Sequence, residues 1–145
     1  MTIRSYTPAD DESIITLLRL NMPKYFAQEE EQDLKDYFAN HIDRYFVVED
    51  NGNIIGSGGI NITNNGKNAA LSWDIIHPDY QGKGIGSQLT QHRLDVIKTI
   101  KSIENISVRT SQLVYKFYEK FDFVLQEIVK DYWADGIDMY RMEIM

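Results

Sequence analysis

The residues best suited by type and spacing to do chemistry lie together at Gln81-Gly82-Lys83-Gly84-Ile85-Gly86. They fall between a run with strand character and a run with helix character. Glycine lets the backbone approach a ligand closely and adopt φ values that other residues avoid. The first N–H groups of a helix have no partner within it, and the helix dipole favours an anion at that end. Together these features describe a backbone cradle for a pyrophosphate, with Lys83 adding positive charge at its rim. Two well-known phosphate sites are excluded by spacing. There is no G-x-x-x-x-G-K-[ST] loop. Gly82-x-Gly84-x-Gly86 differs from G-x-G-x-x-G, and it follows an antiparallel meander instead of opening a parallel βαβ unit. On the glycines alone, a purely structural strand-to-helix turn remains the alternative.

The elements that must position this turn are readable from periodicity. Thr2 to Tyr6 reads as a short edge strand. A helix starts at Pro8 to Asp10, with Ile14, Leu17, Leu18 and Met22 on one face, and ends or kinks at Pro23. A second helix is predicted from about Glu29 to Ile42. Three strands follow, Tyr45 to Glu49, Ile54 to Ile62 and Ala69 to Ile76. They are joined by Asp50-Asn51-Gly52-Asn53 and Asn64-Asn65-Gly66-Lys67, and Asn-Gly supplies the positive φ angles of a tight hairpin turn. After the glycine turn come a helix from about Gly84 to Ile100, a strand Asn105 to Thr110, and a short helix Gln112 to Lys120. Strands Phe123 to Val129 and Asp138 to Met145 complete the order β-α-α-β-β-β-α-β-α-β-β.

Composition narrows the function classes. The chain has 145 residues, enough for one core, and is expected to form a single domain over 1–145. With 43% hydrophobic and 26% charged residues it reads as globular. There is no cysteine, which excludes a disulfide framework, a thiol nucleophile and thiolate zinc sites. His41, His77 and His92 are scattered without ligand spacing, so no metal site is expected. A net charge of −7 argues against a general nucleic-acid binder. No apolar run reaches the roughly 18 residues of a membrane span, and the N-terminus has no apolar signal segment, so a cytoplasmic protein is expected.

Gln81, Gly84 and Gly86 match the Gln/Arg-x-x-Gly-x-Gly/Ala signature of the GCN5-related N-acetyltransferase (GNAT) superfamily, preceded by a common lead-in, His77-Pro78-Asp79-Tyr80. A second segment, Phe117-Tyr118-Glu119-Lys120-Phe121-Asp122-Phe123, is similar to the family's FYEKLGF run. The resemblance covers nearly the whole chain. It implies an α/β (α+β) fold with a central, mostly antiparallel mixed sheet of about seven strands, splayed between strands 4 and 5 and flanked by about four helices. It implies acetyl-CoA as donor, with the pyrophosphate on the backbone of Gln81, Gly82, Lys83, Gly84, Ile85, Gly86 and Ser87. The pantetheine arm would lie along Ile75 and Ile76 of the fourth strand. The implied reaction is direct transfer of the acetyl group to a primary amine of a small molecule, peptide or protein. The alternative is a noncatalytic acyl-CoA-binding or sensing domain.

Acetyl transfer needs a neutral amine, a polarised carbonyl and a protonated leaving thiolate. An amine of pKa about 10 is mostly charged at neutral pH, so a proton must be removed. The resemblance places the carbonyl's N–H donor near Ile76. It makes Tyr118 the candidate acid for the thiolate, because a phenol of pKa about 10 suits a thiolate of similar basicity. Ser111 stands where the resemblance puts an asparagine that bonds the pantetheine or a water; capping the short helix before Gln112 is the alternative, and the two roles are compatible. Asp74 is a candidate base, although relatives more often place the acid at the position of Trp73, and alternation puts 73 and 74 on opposite faces. Asp122 replaces a glycine usual in the family, at a turn of positive φ. The acidic run Glu29, Glu30, Glu31, Asp33 and Asp36 reads as a solvated helix face, which would attract a cationic amine where that helix borders the acceptor cleft. Tyr132 and Trp133 are open as an acceptor wall, core packing or a homodimer contact.

Overall fold

The computed structural model describes residues 1–144. Its elements are β1 (Thr2–Ser5), α1 (Asp11–Leu20), α2 (Glu30–Asn40), β2 (Arg44–Asp50), β3 (Asn53–Thr63), β4 (Asn68–Ile76), α3 (Ile85–Lys98), β5 (Asn105–Thr110), α4 (Tyr115–Glu119), β6 (Val124–Ala134) and β7 (Ile137–Ile144). They form one sheet of seven strands in the order β1-β2-β3-β4-β5-β7-β6. Among the described residues only β4 and β5 pair in parallel, as expected for strands joined through a helix. The predicted hairpins form where their turn residues stand: Asn51 and Gly52 take φ +50° and +79°, and Gly66 takes φ +84°.

Each face of the sheet carries its own core. On one side, α1 and α2 cover Tyr45, Val47 and Ile75 with Ile14, Leu17, Leu18 and Leu34. On the other, α3 and α4 cover Ile60, Leu71, Val108 and Met142 with Leu89, Ile97 and Tyr118. Full burial of such a side chain stabilises by about 1.5–3 kcal/mol, so both stripes hold the helices firmly to the sheet.

Among the boundaries that differ from the periodicity, three have a local cause. The first helix opens with a 3₁₀ turn at Pro8–Asp10 before α1. The short helix shrinks to Tyr115–Glu119 because Ser111 and the residues after it form a turn. β6 runs on to Ala134 instead of stopping at Val129. It is an edge strand, and polar Lys130 and Asp131 need no apolar partner there. Asp131 bulges at φ +55° and accepts the Gly136 N–H at 2.7 Å, which closes the hairpin to β7.

Candidate active site

The site arises where β4 parts from β5. Parallel pairing runs from Asn68 opposite Asn105 to Leu71 opposite Val108 and then stops. β5 continues against β7 through Thr110 opposite Tyr140, whereas β4 continues against β3 to Ile76 opposite Gly56. The parting coincides with a bulge in β4. Ser57 faces Ile75 but Gly59 faces Ser72, so β4 holds one extra residue. Trp73 sits there at φ +50°, an unfavourable conformation for a tryptophan. It is held by its surroundings: the buried Tyr45 hydroxyl donates to the Trp73 carbonyl at 2.8 Å, and the indole stacks on Phe26 at 6.3 Å. Ser72 and Trp73 thus face α2 together, and Asp74 turns to the α3 face, where Leu71 also lies.

There Asp74 meets two buried partners. Arg93 of α3, fully buried, grips its carboxylate in a fork with Nη1–Oδ1 2.5 Å and Nη2–Oδ2 2.7 Å. Tyr118 of α4 donates its hydroxyl to Asp74 Oδ2. Arg93 Nη1 also donates to the Gly59 carbonyl at 3.1 Å. A Cβ on Gly58 would stand 2.9 Å from Arg93 Nη1 and 3.0 Å from Asp74 Oδ1, so any other residue there would press on the pair. Burial pushes the Tyr118 phenol well above its ordinary value, and the Asp74 charge adds to the rise. Burial works against the Arg93 charge, but the Asp74 charge and hydrogen bonds outweigh it and raise the guanidinium.

The glycine turn lies at one end of the same cleft. Gly82 and Gly84 take φ +79° and +85°, and a Cβ built on either meets nothing within 4 Å. Gly84 precedes α3, and among the described residues the N–H groups of 82–87 take no backbone or side-chain acceptor. Gly86 packs closely, with a Cβ there only 3.4 Å from the Phe117 ring of α4. Ile85 is buried in the core, Ser87 is exposed to the cleft, and Lys83 is exposed with Nζ 5.6 Å from the Tyr80 ring centre. The Gln81 amide reaches back to Asn21, which is buried and holds the Ile76 carbonyl at 3.0 Å, tying the turn to the end of β4. His77 accepts the Asp79 N–H through Nδ1, a structural cap. His77 donates its own N–H to Ile55 of β3, so alternation aims the Ile76 N–H into the splay. Ile75 buries its side chain under α1. Ser111 accepts the Leu113 N–H at 3.2 Å, a capping contact at the cleft wall. Asp122 holds φ +71°, so the turn keeps its left-handed shape without glycine.

The cleft has a volume of about 1500 Å³ and runs from Gly84 past Tyr118 and Asp74 to the other face of the sheet. That far end is bounded by Phe26, Glu30, Asp33, Tyr37 and Trp73, and Trp133 of β6 also lines the cleft. The Trp133 indole donates to the Thr110 carbonyl at 3.0 Å. Here the acidic run departs from a uniformly solvated face. Glu31 pairs with Arg19 at 2.7 Å, whereas Glu30 is buried and accepts the Ala27 N–H at 2.8 Å as α2 begins. Burial lifts the Glu30 carboxyl to about 7, with Asp33 and Glu29 adding repulsion.

The sequence signature of the acetyltransferase (GNAT) family matches residues 12–123. The chain belongs to the GNAT family. An N-alpha-acetyltransferase of Sulfurisphaera tokodaii is 30% identical to it, over 97% of this chain and 90% of that protein. The ribosomal-protein-S18-alanine N-acetyltransferase from Escherichia coli has the same fold, with a TM-score of 0.81 at 17% identity, covering 99% of this chain and 92% of that one. An aminoglycoside 6'-N-acetyltransferase complexed with coenzyme A gives a TM-score of 0.80 at 14% identity, covering 99% and 96%. The splayed seven-stranded sheet is therefore the GNAT fold, and the chain is an acetyl-CoA-dependent acetyltransferase. The glycine turn fits that donor, with free N–H groups and open space over Gly82 and Gly84.

Sequence reasoning brought Asp74, Tyr118 and the glycine turn forward, and all three border the one cleft. It missed Arg93, Asn21, Gly58 and the buried position of Glu30. Arg93 did carry a signal: it lies midway between Leu89 and Ile97, on the helix stripe that should be apolar.

Proposed function

We propose that this GNAT enzyme acetylates a primary amine on a cationic acceptor, by direct attack on acetyl-CoA, with Tyr118 and Asp74 at the reacting centre. One observation carries the reading: a single cleft joins the glycine turn to an acidic, aromatic chamber, and Tyr118 and Asp74 stand between them. The chamber suits a cationic amine. Glu30 and Asp33 lie one turn apart on α2, and Phe26, Tyr37 and Trp73 offer aromatic faces. Small amines and peptide N-termini both satisfy this chemistry.

Acetyl-CoA supplies the activated acyl group and the leaving thiol. The backbone N–H groups of 82–87 hold its pyrophosphate, with Lys116 of α4 and Lys120 just after that helix also bordering the cleft. The Ile76 N–H is the donor available to a carbonyl oxygen in the splay. Tyr118 is the proton donor for the thiolate and Asp74 the nearest carboxylate to take up charge. Direct attack accords with a chain that has no cysteine to form an acyl-enzyme.

The test is an acetyl-CoA assay over monoamines, polyamines, aminoglycosides and peptide N-termini, following released thiol and the mass of the product. Cationic amines should be acetylated on nitrogen with kcat/KM at least tenfold above neutral monoamines. Equal rates with acidic and basic acceptors would refute the acceptor class, and thiol release without an acetylated amine would refute the reaction.

A further inference from the structure

We infer that Tyr118 and Asp74 form a two-station proton shuttle, with Arg93 as the positioning residue that makes Asp74 return the proton it receives. The inference rests on the proposed reaction and assigns the route its proton takes.

The geometry gives the direction of each hydrogen bond. Arg93 occupies both carboxylate oxygens of Asp74 in its fork, and Tyr118 adds its hydroxyl to Oδ2. A phenol has one O–H to donate, so its proton points at Asp74 and its free lone pair is left for the cleft. In the resting enzyme Tyr118 therefore meets the cleft as an acceptor. A simple acid would point its proton the other way. Burial and the Asp74 charge also hold the phenol well above its usual range, which makes release from an isolated Tyr118 harder. A proton waiting on the neighbouring carboxyl removes that difficulty.

The steps balance. The amine nitrogen bonds to the acetyl carbon and the C–S bond breaks. The surplus proton of that nitrogen moves to Tyr118 Oη as the phenol's own proton moves to Asp74 Oδ2. The phenol then gives a proton to the departing sulfur and recovers one from Asp74. One proton travels from nitrogen to sulfur, and both side chains regain their starting state. Arg93 decides that Asp74 relays the proton instead of keeping it. A fully buried guanidinium without a carboxylate is costly, so protonated Asp74 is a short-lived state beside it. The fork keeps the carboxylate turned toward Tyr118, and Gly58 leaves the pair room.

The experiment has one readout without substrate and one with it. Proton NMR of the free protein should show one strongly downfield hydroxyl resonance. It should vanish in Tyr118→Phe and in Asp74→Asn, and move upfield in Arg93→Lys. In turnover, Tyr118→Phe and Asp74→Asn should each lower kcat at least tenfold. The double variant should fall little below the worse single one, because the two residues act as a unit. Arg93→Lys should lower kcat at least fivefold with both KM values within about twofold. If Asp74→Asn fails to fold around an uncompensated Arg93, the paired variant Asp74→Asn, Arg93→Gln removes both charges and carries the same readouts. A resonance indifferent to Asp74, losses that multiply in the double variant, or full kcat in Asp74→Asn would overturn the shuttle while leaving acetyl transfer to an amine standing. A wild-type protein that binds coenzyme A yet acetylates no amine would overturn both.

Discussion

Replacing Glu30 with glutamine tests whether the chamber carboxylate is as constrained as its burial implies. Its carboxyl holds a proton until about pH 7 in the folded chain, against an ordinary value of 4.5. Between those values the folded state binds more protons than the unfolded state, so stability falls as pH rises. The cost is absent below about 4.5 and complete above about 7. At about 1.4 kcal/mol per unit the gap amounts to roughly 3 kcal/mol. Glutamine stays neutral and keeps an oxygen for the Ala27 N–H. Glu30→Gln should therefore be more stable than the wild type above pH 7 by up to about 3 kcal/mol, or about 10 °C in Tm. Thermal melts by circular dichroism at pH 5 and pH 8 measure the difference, which should be much larger at pH 8. The same variant should raise KM for a cationic acceptor at pH 8, because it removes the charge that attracts it. A Tm difference independent of pH, or a wild type that is the more stable protein at pH 8, would refute the reasoning.

Two further substitutions probe the frame. Coenzyme A at 100 times its Kd should stabilise the protein by about 2.7 kcal/mol; Gly84→Val fills the open space over the turn at φ +85° and should abolish that Tm shift, and a folded variant with a normal shift would put the cradle elsewhere. Gly59→Ala would set a Cβ 2.5 Å from Tyr45 Cδ1 and 2.9 Å from the Arg44 carbonyl, so urea denaturation should register a loss of about 3 kcal/mol, and a loss under about 1 kcal/mol would contradict the packing.

The parts of this account legible in the sequence are those set by local rules. Asn51-Gly52 demanded a tight turn, and the apolar spacing of Ile14, Leu17 and Leu18 demanded a helix face. The glycine turn announced its free N–H groups through composition alone. The bulge at Trp73 was not legible, because a tryptophan at φ +50° is set by Tyr45 and Phe26, distant in sequence. Without that bulge, Leu71 and Asp74 would face opposite sides of the sheet, and Asp74 would not meet Arg93. Glu30 looked like its neighbours in an acidic run, and nothing local marked it as the one that is buried and accepts the Ala27 N–H. The end of β6 was obscured because an edge strand needs no alternation of apolar residues.

The most direct test of the central claim measures coenzyme A affinity and turnover side by side in wild type and Tyr118→Phe. The substitution removes one hydroxyl and keeps the ring in its place among Phe117 and Phe123. Calorimetric Kd for coenzyme A should stay within about twofold. With the best amine found, and under conditions where chemistry limits the rate, kcat and kcat/KM should fall together by at least about tenfold, as for a group acting in the transition state. Tyr115→Phe on the same helix should cost less. An unchanged kcat in Tyr118→Phe, with coenzyme A still bound, would contradict the placing of acetyl transfer at Tyr118 and Asp74.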